Sequence, residues 1–200
     1  MSIDGFVSGP NGENDWVFRS SDETSRAWSV EQNRAAGLTI MGRKTFEKIA
    51  PYWTTATGPF AAAMNEIPKA LFSKKGFKGL DPLTTTTAEQ SRAAASWAEA
   101  QVFDGDLAEE IKELKSGSGK PILAIGGAGF MQSLIASGLI DEYLLITHPV
   151  VLGGGMPIFN GVIQPVDLKL VDVKSFPGGI VAHIYSKWDA GLLLKFISYL

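Results

Sequence analysis

Apolar positions in this chain come in short runs that end at glycine turns and restart with helical spacing. The clearest case is residues 120–130, Lys-Pro-Ile-Leu-Ala-Ile-Gly-Gly-Ala-Gly-Phe. Residues 122–125 form an unbroken apolar run, the pattern of a strand buried on both faces of a sheet. Gly126, Gly127 and Gly129 remove side chains where the backbone must turn, and residues 131–137 continue with helical spacing. A helix starting there presents free N–H groups and the positive end of its dipole, which suits a phosphate. A tight turn with no ligand accounts for the same residues when they are read alone.

The same order recurs upstream. Residues 38–41 predict a strand, Gly42-Arg43-Lys44-Thr45 a turn, and residues 45–49 the start of a helix that Pro51-Tyr52-Trp53 ends. Residues 69–73 predict a third short strand, followed by Lys74 and Lys75. Residues 21–36 predict a helix capped by Ser21 or Asp22, and residues 60–66 a helical turn or two. Residues 106–115 read as a helix with Asp106 as cap and Leu107, Ile111 and Leu114 on one face. Residues 88–102 fit either a helix or a loop leading to a strand, and the threonine run at 84–87 is β-prone. Residues 139–147 predict a strong strand and residues 149–159 a second glycine loop with no helix behind it. Residues 168–175 and 180–186 pair as an antiparallel hairpin turning at Pro177-Gly178-Gly179. Near the N-terminus a strand end runs into the Asp4-Gly5 turn and a second extended piece, with Trp16 and Phe18 in a polar loop. The expectation is an α/β fold, one domain over residues 1–200, with a mostly parallel sheet and an antiparallel edge hairpin.

The two ends do not pattern as ends. Residues 192–200 are apolar and β-prone where a surface tail is normally polar. Written head to tail, residues 195–200 followed by 1–6 make one complete strand feeding the Asp4-Gly5 turn. The expectation is that residues 192–200 supply the start of the first strand, by circular permutation or by a strand swap onto a second copy. A frayed tail is the remaining reading.

Composition narrows the function classes. With 45% hydrophobic and 20% charged residues the 200-residue chain is globular rather than disordered. A net charge of −3 with scattered Lys and Arg argues against a nucleic-acid partner. The absence of cysteine removes disulfides, thiolate nucleophiles and thiolate metal sites. His148 and His183 are too isolated to suggest a metal centre. No segment reaches the length of a membrane span and no leader pattern opens the chain, so a cytoplasmic protein is expected.

With the two ends joined, Ser2-Ile-Asp4-Gly5-Phe, Met41-Gly-Arg-Lys-Thr45-Phe-Glu, Lys69-Ala-Leu-Phe-Ser73-Lys, Ile125-Gly-Gly-Ala-Gly129, and Gly138-Leu-Ile-Asp-Glu-Tyr143 with Pro149-Val-Val-Leu-Gly153 stand in an order that resembles the dihydrofolate reductase-like superfamily. More narrowly, the chain resembles the C-terminal reductase domain of the bacterial riboflavin biosynthesis protein RibD. The resemblance covers nearly the whole chain and implies a three-layer α/β/α fold, NADPH as hydride donor and a homodimer. It also implies a cis peptide bond between Gly126 and Gly127.

The chemistry of the matching positions agrees. Gly126, Gly127, Ala128, Gly129 and Phe130, with Gly42, Arg43, Lys44 and Thr45, supply two helix starts able to clasp the pyrophosphate and adenosine side of NADPH. Arg43 can fork onto phosphate and Lys44 acts as a point charge. Ser73 and Lys74 suit the ribose 2′-phosphate and favour NADPH over NADH. Each cation taken alone reads equally well as a solvated surface charge. On the substrate side the resemblance suggests a catalytic role for Asp4, which can also be a turn residue satisfying its own backbone. Trp16, Tyr52 and Trp53 can line a pocket for a flat ring or simply pack. No carboxylate of the helix at 21–36 stands where folate reduction needs one, and no deaminase zinc motif is present. The reading is an NADPH-dependent reductase acting on a small pterin-like, pyrimidine-like or carbonyl substrate, similar to 5-amino-6-(5-phosphoribosylamino)uracil reductase or dihydrofolate reductase. The alternatives are an NADPH-binding module without turnover and an engineered permutant with impaired activity.

Overall fold

A computed structural model describes residues 1–81, 83–187 and 194–197 of the chain. In chain order the elements are β1 (Phe6–Ser8), α1 (Trp16–Arg19), α2 (Glu23–Ala35), β2 (Leu38–Gly42), α3 (Arg43–Thr55) and α4 (Pro59–Glu66). There follow β3 (Lys69–Phe72), α5 (Ala88–Ala98), β4 (Gln101–Phe103), α6 (Leu107–Ser116), β5 (Ile122–Ala124) and α7 (Ala128–Ser137). The last part is all β: β6 (Glu142–Thr147), β7 (Met156–Pro157), β8 (Lys169–Ser175), β9 (Val181–Ser186) and β10 (Leu194–Ile197).

Eight of these strands form one sheet in the order β4-β3-β2-β5-β10-β6-β9-β8. Every pair from β4 across to β6 is parallel, and β6–β9 and β9–β8 are antiparallel. The α/β fold with an antiparallel edge hairpin is what the chain adopts. Fully buried strands such as β3 and β5 carry apolar residues on both sides, so one face packs Met41, Phe46, Leu71, Trp97 and Leu144. The other packs Ile40, Ala124, Met131, Leu134 and Phe196. Helix starts follow their caps: Asp22 accepts from Ser25 N–H, Thr87 from Gln90 N–H, and Asp106 from Ala108 and Glu109 N–H.

Several local expectations are corrected. α3 does not end at Pro51 but continues to Thr55. The cost of the missing N–H is offset by burial of Phe46, Ala50 and Thr54 on one side of the helix and by the Asn65 side-chain amide, which caps the Trp53 carbonyl. Trp16 and Phe18 lie in a short helix rather than a loop. The ambiguous stretch at 88–102 is both things in turn, helix α5 and then strand β4, and the threonine run is the lead-in that caps α5. The second glycine loop contains β7, which pairs antiparallel with β1 in a separate two-stranded sheet.

The centre of the large sheet is filled by β10. Leu194, Lys195 and Phe196 stand opposite Ile122, Leu123 and Ala124 of β5, and Lys195, Phe196 and Ile197 opposite Glu142, Tyr143 and Leu144 of β6. Leu194 and Phe196 are fully buried. The strand is pinned at its start: Leu194 N–H donates to Asp141 Oδ2 at 2.8 Å, Asp141 pairs with Lys115 at 2.6 Å, and Lys195 pairs with Glu142. Further along β6, the Met1 amine donates to the Ile146 carbonyl and the Met1 carbonyl accepts from His148 N–H at 2.8 Å. Leu194–Ile197 and Met1 therefore occupy successive stations on one side of β6. Residues 192, 193 and 198–200 of the expected strand lie outside the described residues. Phe196→Ala should cost about 3–5 kcal/mol, because it empties a fully enclosed site between two parallel neighbours. Urea unfolding checks this, and a loss below about 1 kcal/mol would contradict the central position of β10.

Candidate functional site

Since β2 and β5 are parallel neighbours, the turns that leave them emerge side by side at the same edge of the sheet. They are joined directly. Gly42 N–H donates to the Gly126 carbonyl at 3.0 Å, and the Gly126–Gly127 peptide bond is cis. A Cβ on Gly127 would stand 2.3 Å from Thr45 Oγ1, and one on Gly42 would stand 3.0 Å from Phe130 Cβ. Only glycine lets the two turns approach this closely. α3 and α7 begin at these turns, so two helix N-termini with unpaired N–H groups lie next to one another.

Beside them opens a cleft of about 210 Å³ bordered by Gly42, Ser73, Lys74, Gly129 and Phe130. Its wall is aromatic: Phe72 stacks on Phe103 with ring centroids 5.0 Å apart, and Phe72 meets Phe130 at 5.2 Å. A Cβ on Gly129 would meet nothing within 4 Å, so that position faces open space. Lys74 is exposed and has no ion pair among the described residues. Arg43 is engaged differently. Its Nη1 donates to both Glu47 oxygens at 2.7 and 2.9 Å, so part of the charge is met one helical turn along. Ser73 spends its hydroxyl on the Gly76 carbonyl at 2.6 Å, closing the loop that carries Lys74. The contribution of β4 through Phe103, Gly105 and Leu107 was not expected. Its signal was a third strand–turn–helix sequence, Val102-Phe-Asp-Gly-Asp106, obscured by the ambiguous residues before it.

The residues expected on the substrate side are not brought together. Asp4 is exposed, and its carboxylate accepts from Gly153 N–H at 2.7 Å and Leu152 N–H at 3.2 Å. The Ser2 hydroxyl first, and then these two amides, hold the Asp4 carboxyl below its ordinary range. It is an ionised acceptor that anchors the second glycine loop. Tyr52 and Trp53 stand nine or ten residues along α3, roughly 14 Å from its start at 1.5 Å per residue. They pack on each other at 4.7 Å, and Trp53 on Phe60 at 5.1 Å. Trp16 is buried against His148, ring centroids 5.6 Å apart. His148 bonds Ser20 through Nδ1 at 2.8 Å, while His148 Nε2 and Trp16 Nε1 are buried without a partner. Burial pushes the His148 imidazole down to about 4. A larger cavity of about 560 Å³ beside Glu47, Pro51 and Thr54 contains none of the expected cofactor residues.

Comparison with known proteins agrees with the fold and with the turn geometry. The model of the RibD C-terminal domain family matches residues 1–182. YyaP of Bacillus subtilis (strain 168), itself uncharacterised, is 33% identical over 186 residues, covering 92% of this chain and 90% of that protein. YwjB of the same organism, also uncharacterised, is 24% identical over 183 residues, covering 92% of each. Among solved structures, a putative riboflavin biosynthesis protein from Shewanella sp. PV-4 superposes with a TM-score of 0.67 at 19% identity, over 94% of this chain and 96% of that one. Acinetobacter baumannii RibD superposes with a TM-score of 0.63 at 20% identity, over 94% of this chain but 56% of that longer protein.

The buried His148 leads to a stability prediction. Its folded value of about 4 lies below the 6.5 of the free group, so between these pH values the unfolded chain binds the extra proton. This part of the stability is present above pH 6.5 and is lost as pH falls toward 4. Urea midpoints measured at pH 7, 5.5 and 4.5 should fall, and His148→Gln should flatten that slope; an unchanged slope would place the imidazole in water.

Proposed function

The chain belongs to the RibD C-terminal domain family, and on that premise we propose that it is an NADPH-dependent reductase acting on a small heterocyclic or carbonyl substrate. The observation that carries the reading is the joined pair of glycine turns. It sets two helix N-termini, an aromatic wall and the unpaired Lys74 around one cleft. The residues fit NADPH in detail. The turn at Gly126, Gly127, Ala128, Gly129 and Phe130 and the turn at Gly42, Arg43, Lys44 and Thr45 would hold the pyrophosphate by main-chain N–H groups. Lys44 and Lys74 would supply cations, with the Ser73 loop presenting Lys74 to the ribose 2′-phosphate. The Phe72–Phe103–Phe130 wall would take a flat ring. NADPH supplies a hydride when bound, and the chain's own contribution is binding, orientation and exclusion of water.

Asp4 enters this reading as a positioning residue. A carboxyl held below its ordinary range carries no proton at neutral pH, so Asp4 stiffens the loop at 151–155 rather than protonating a substrate. The same observation favours a second reading, a module that holds NADPH without turnover. Rapid-mixing NADPH oxidation with a panel of pterin, pyrimidine and carbonyl substrates separates the two. The cysteine-free composition imposes no oxidising compartment, and no helix among the described residues is long and apolar enough to cross a membrane. The cytoplasm is the compartment this reading carries.

Thermal unfolding with each cofactor tests the binding step. NADPH should raise the midpoint more than NADH, since a ligand of the native state stabilises it by mass action. Lys74→Ala should weaken NADPH about tenfold and leave NADH unchanged, the loss of one charge-assisted contact. Gly129→Val points a side chain into open space, so it should fold normally yet lose NADPH affinity at least tenfold. No shift with either cofactor at millimolar concentration would overturn the reading.

A further inference from the structure

One half of the sheet is left half-covered. α6 and α7 pack over β2, β5 and β10, but the same face continues across β6, β9 and β8, where no helix lies over β8. The registers place Leu145 of β6, Val181, His183 and Tyr185 of β9, and Leu170 and Val173 of β8 on that face. No acidic or basic residue of these three strands falls on it; Lys169, Asp172 and Lys174 of β8 all fall on the opposite face. A strand exposed along its whole length normally carries charge on both faces. Here Leu170 is 50% and Val173 47% exposed on the uncharged one. Next to it, residues 162–166 lean on the C-terminal half of α7 and border a cavity of about 380 Å³ lined by Ile135, Ala136, Val162, Pro165 and Val166. Ile163 stands at its rim, 95% exposed.

We propose that this surface binds a second copy of the chain, the sheet faces packing around a two-fold axis. A self-paired interface needs a patch complementary to itself. An uncharged face meets that need at no electrostatic cost, and the patch carries both a protruding Ile163 and an apolar cavity to receive its counterpart. The size is adequate. The exposed apolar area of these side chains is roughly 700 Å², above the largest patch of an ordinary monomer and close to the roughly 800 Å² per partner of a standard interface. A lipid surface or a nucleic acid would call for Lys or Arg on this face, and none is there. The interface is independent of the cofactor reading, because the glycine turns lie at the carboxyl edge on the far side of β10.

Light scattering on the full chain at about 50 µM tests this; a dimer is expected, since a standard interface holds at micromolar concentration or better. Leu170→Lys with Val173→Lys should give a monomer, with the dissociation constant raised at least 100-fold. Ile163→Asp, on an exposed loop where the fold is not at risk, should weaken the dimer at least tenfold. Lys174→Glu, on the opposite face, should leave it unchanged. Circular dichroism and thermal midpoints confirm that each variant is folded. A monomeric wild-type chain overturns the proposal. So does a dimer that survives both Leu170→Lys/Val173→Lys and Ile163→Asp, which would mean that strand exchange or another surface holds the copies together.

Discussion

The hydrogen bond from Gly42 N–H to the Gly126 carbonyl is the contact on which the site depends. It ties the end of β2 to the end of β5 and so sets the spacing between the first turns of α3 and α7. The bond requires that two backbones meet with no side chain between them. Thr45 Oγ1 occupies the space a Cβ on Gly127 would need, and Phe130 crowds Gly42. The glycines are therefore not there for flexibility. They permit a close, fixed approach, and the paired helix dipoles follow from it. Lys74 and the three phenylalanines can add selectivity only because this approach has already placed the backbone donors.

The contact rests in turn on the alignment of β5, and β5 is flanked by β2 and β10. β10 is short, but it is buried between parallel neighbours and pinned at its first residue by the Asp141 carboxylate. Asp141 is itself almost inaccessible and is matched by Lys115, so the charge is compensated rather than stranded. The polar anchor sets the register, and Leu194 and Phe196 supply the burial. A shift of one residue would turn these two side chains to the wrong face and move Lys195 away from Glu142.

Strands and turns were legible because their signals are local. An apolar run ending in glycines needs no partner to be recognised, and the two glycine turns were read correctly as a pair. Elements whose form depends on distant partners were not. Pro51 looks like a helix end, yet α3 continues because its buried side is held by residues of α4 and α5. Lys69 reads as the exposed start of a strand. It is buried, with Nζ donating to the carbonyls of Ile67 and Asn65 and to Ser96 Oγ, and burial pushes its amine down to about 8. The site divides along the same line. Backbone recognition of phosphate is written in glycine positions, whereas the substrate side is assembled from α1, β6 and the loop after β6, which meet only in the folded chain.

That division also shows in the charges along the carboxyl edge. At the β2–β3 end the edge carries Lys44 and Lys74 with two helix N-termini, a field that draws phosphate. Beyond β10 the settled charge is the Asp4 carboxylate, locked by the amides of Leu152 and Gly153, and the neighbouring imidazole of His148 is kept neutral by burial. A dinucleotide with its phosphates at one end and a nicotinamide at the other therefore has one favourable orientation along this edge. In that orientation the reactive ring lies toward Asp4, in the half of the edge where the chain offers no cluster of cations to hold a second anion in competition. Polarity along the edge thus does for orientation what the glycine contact does for position.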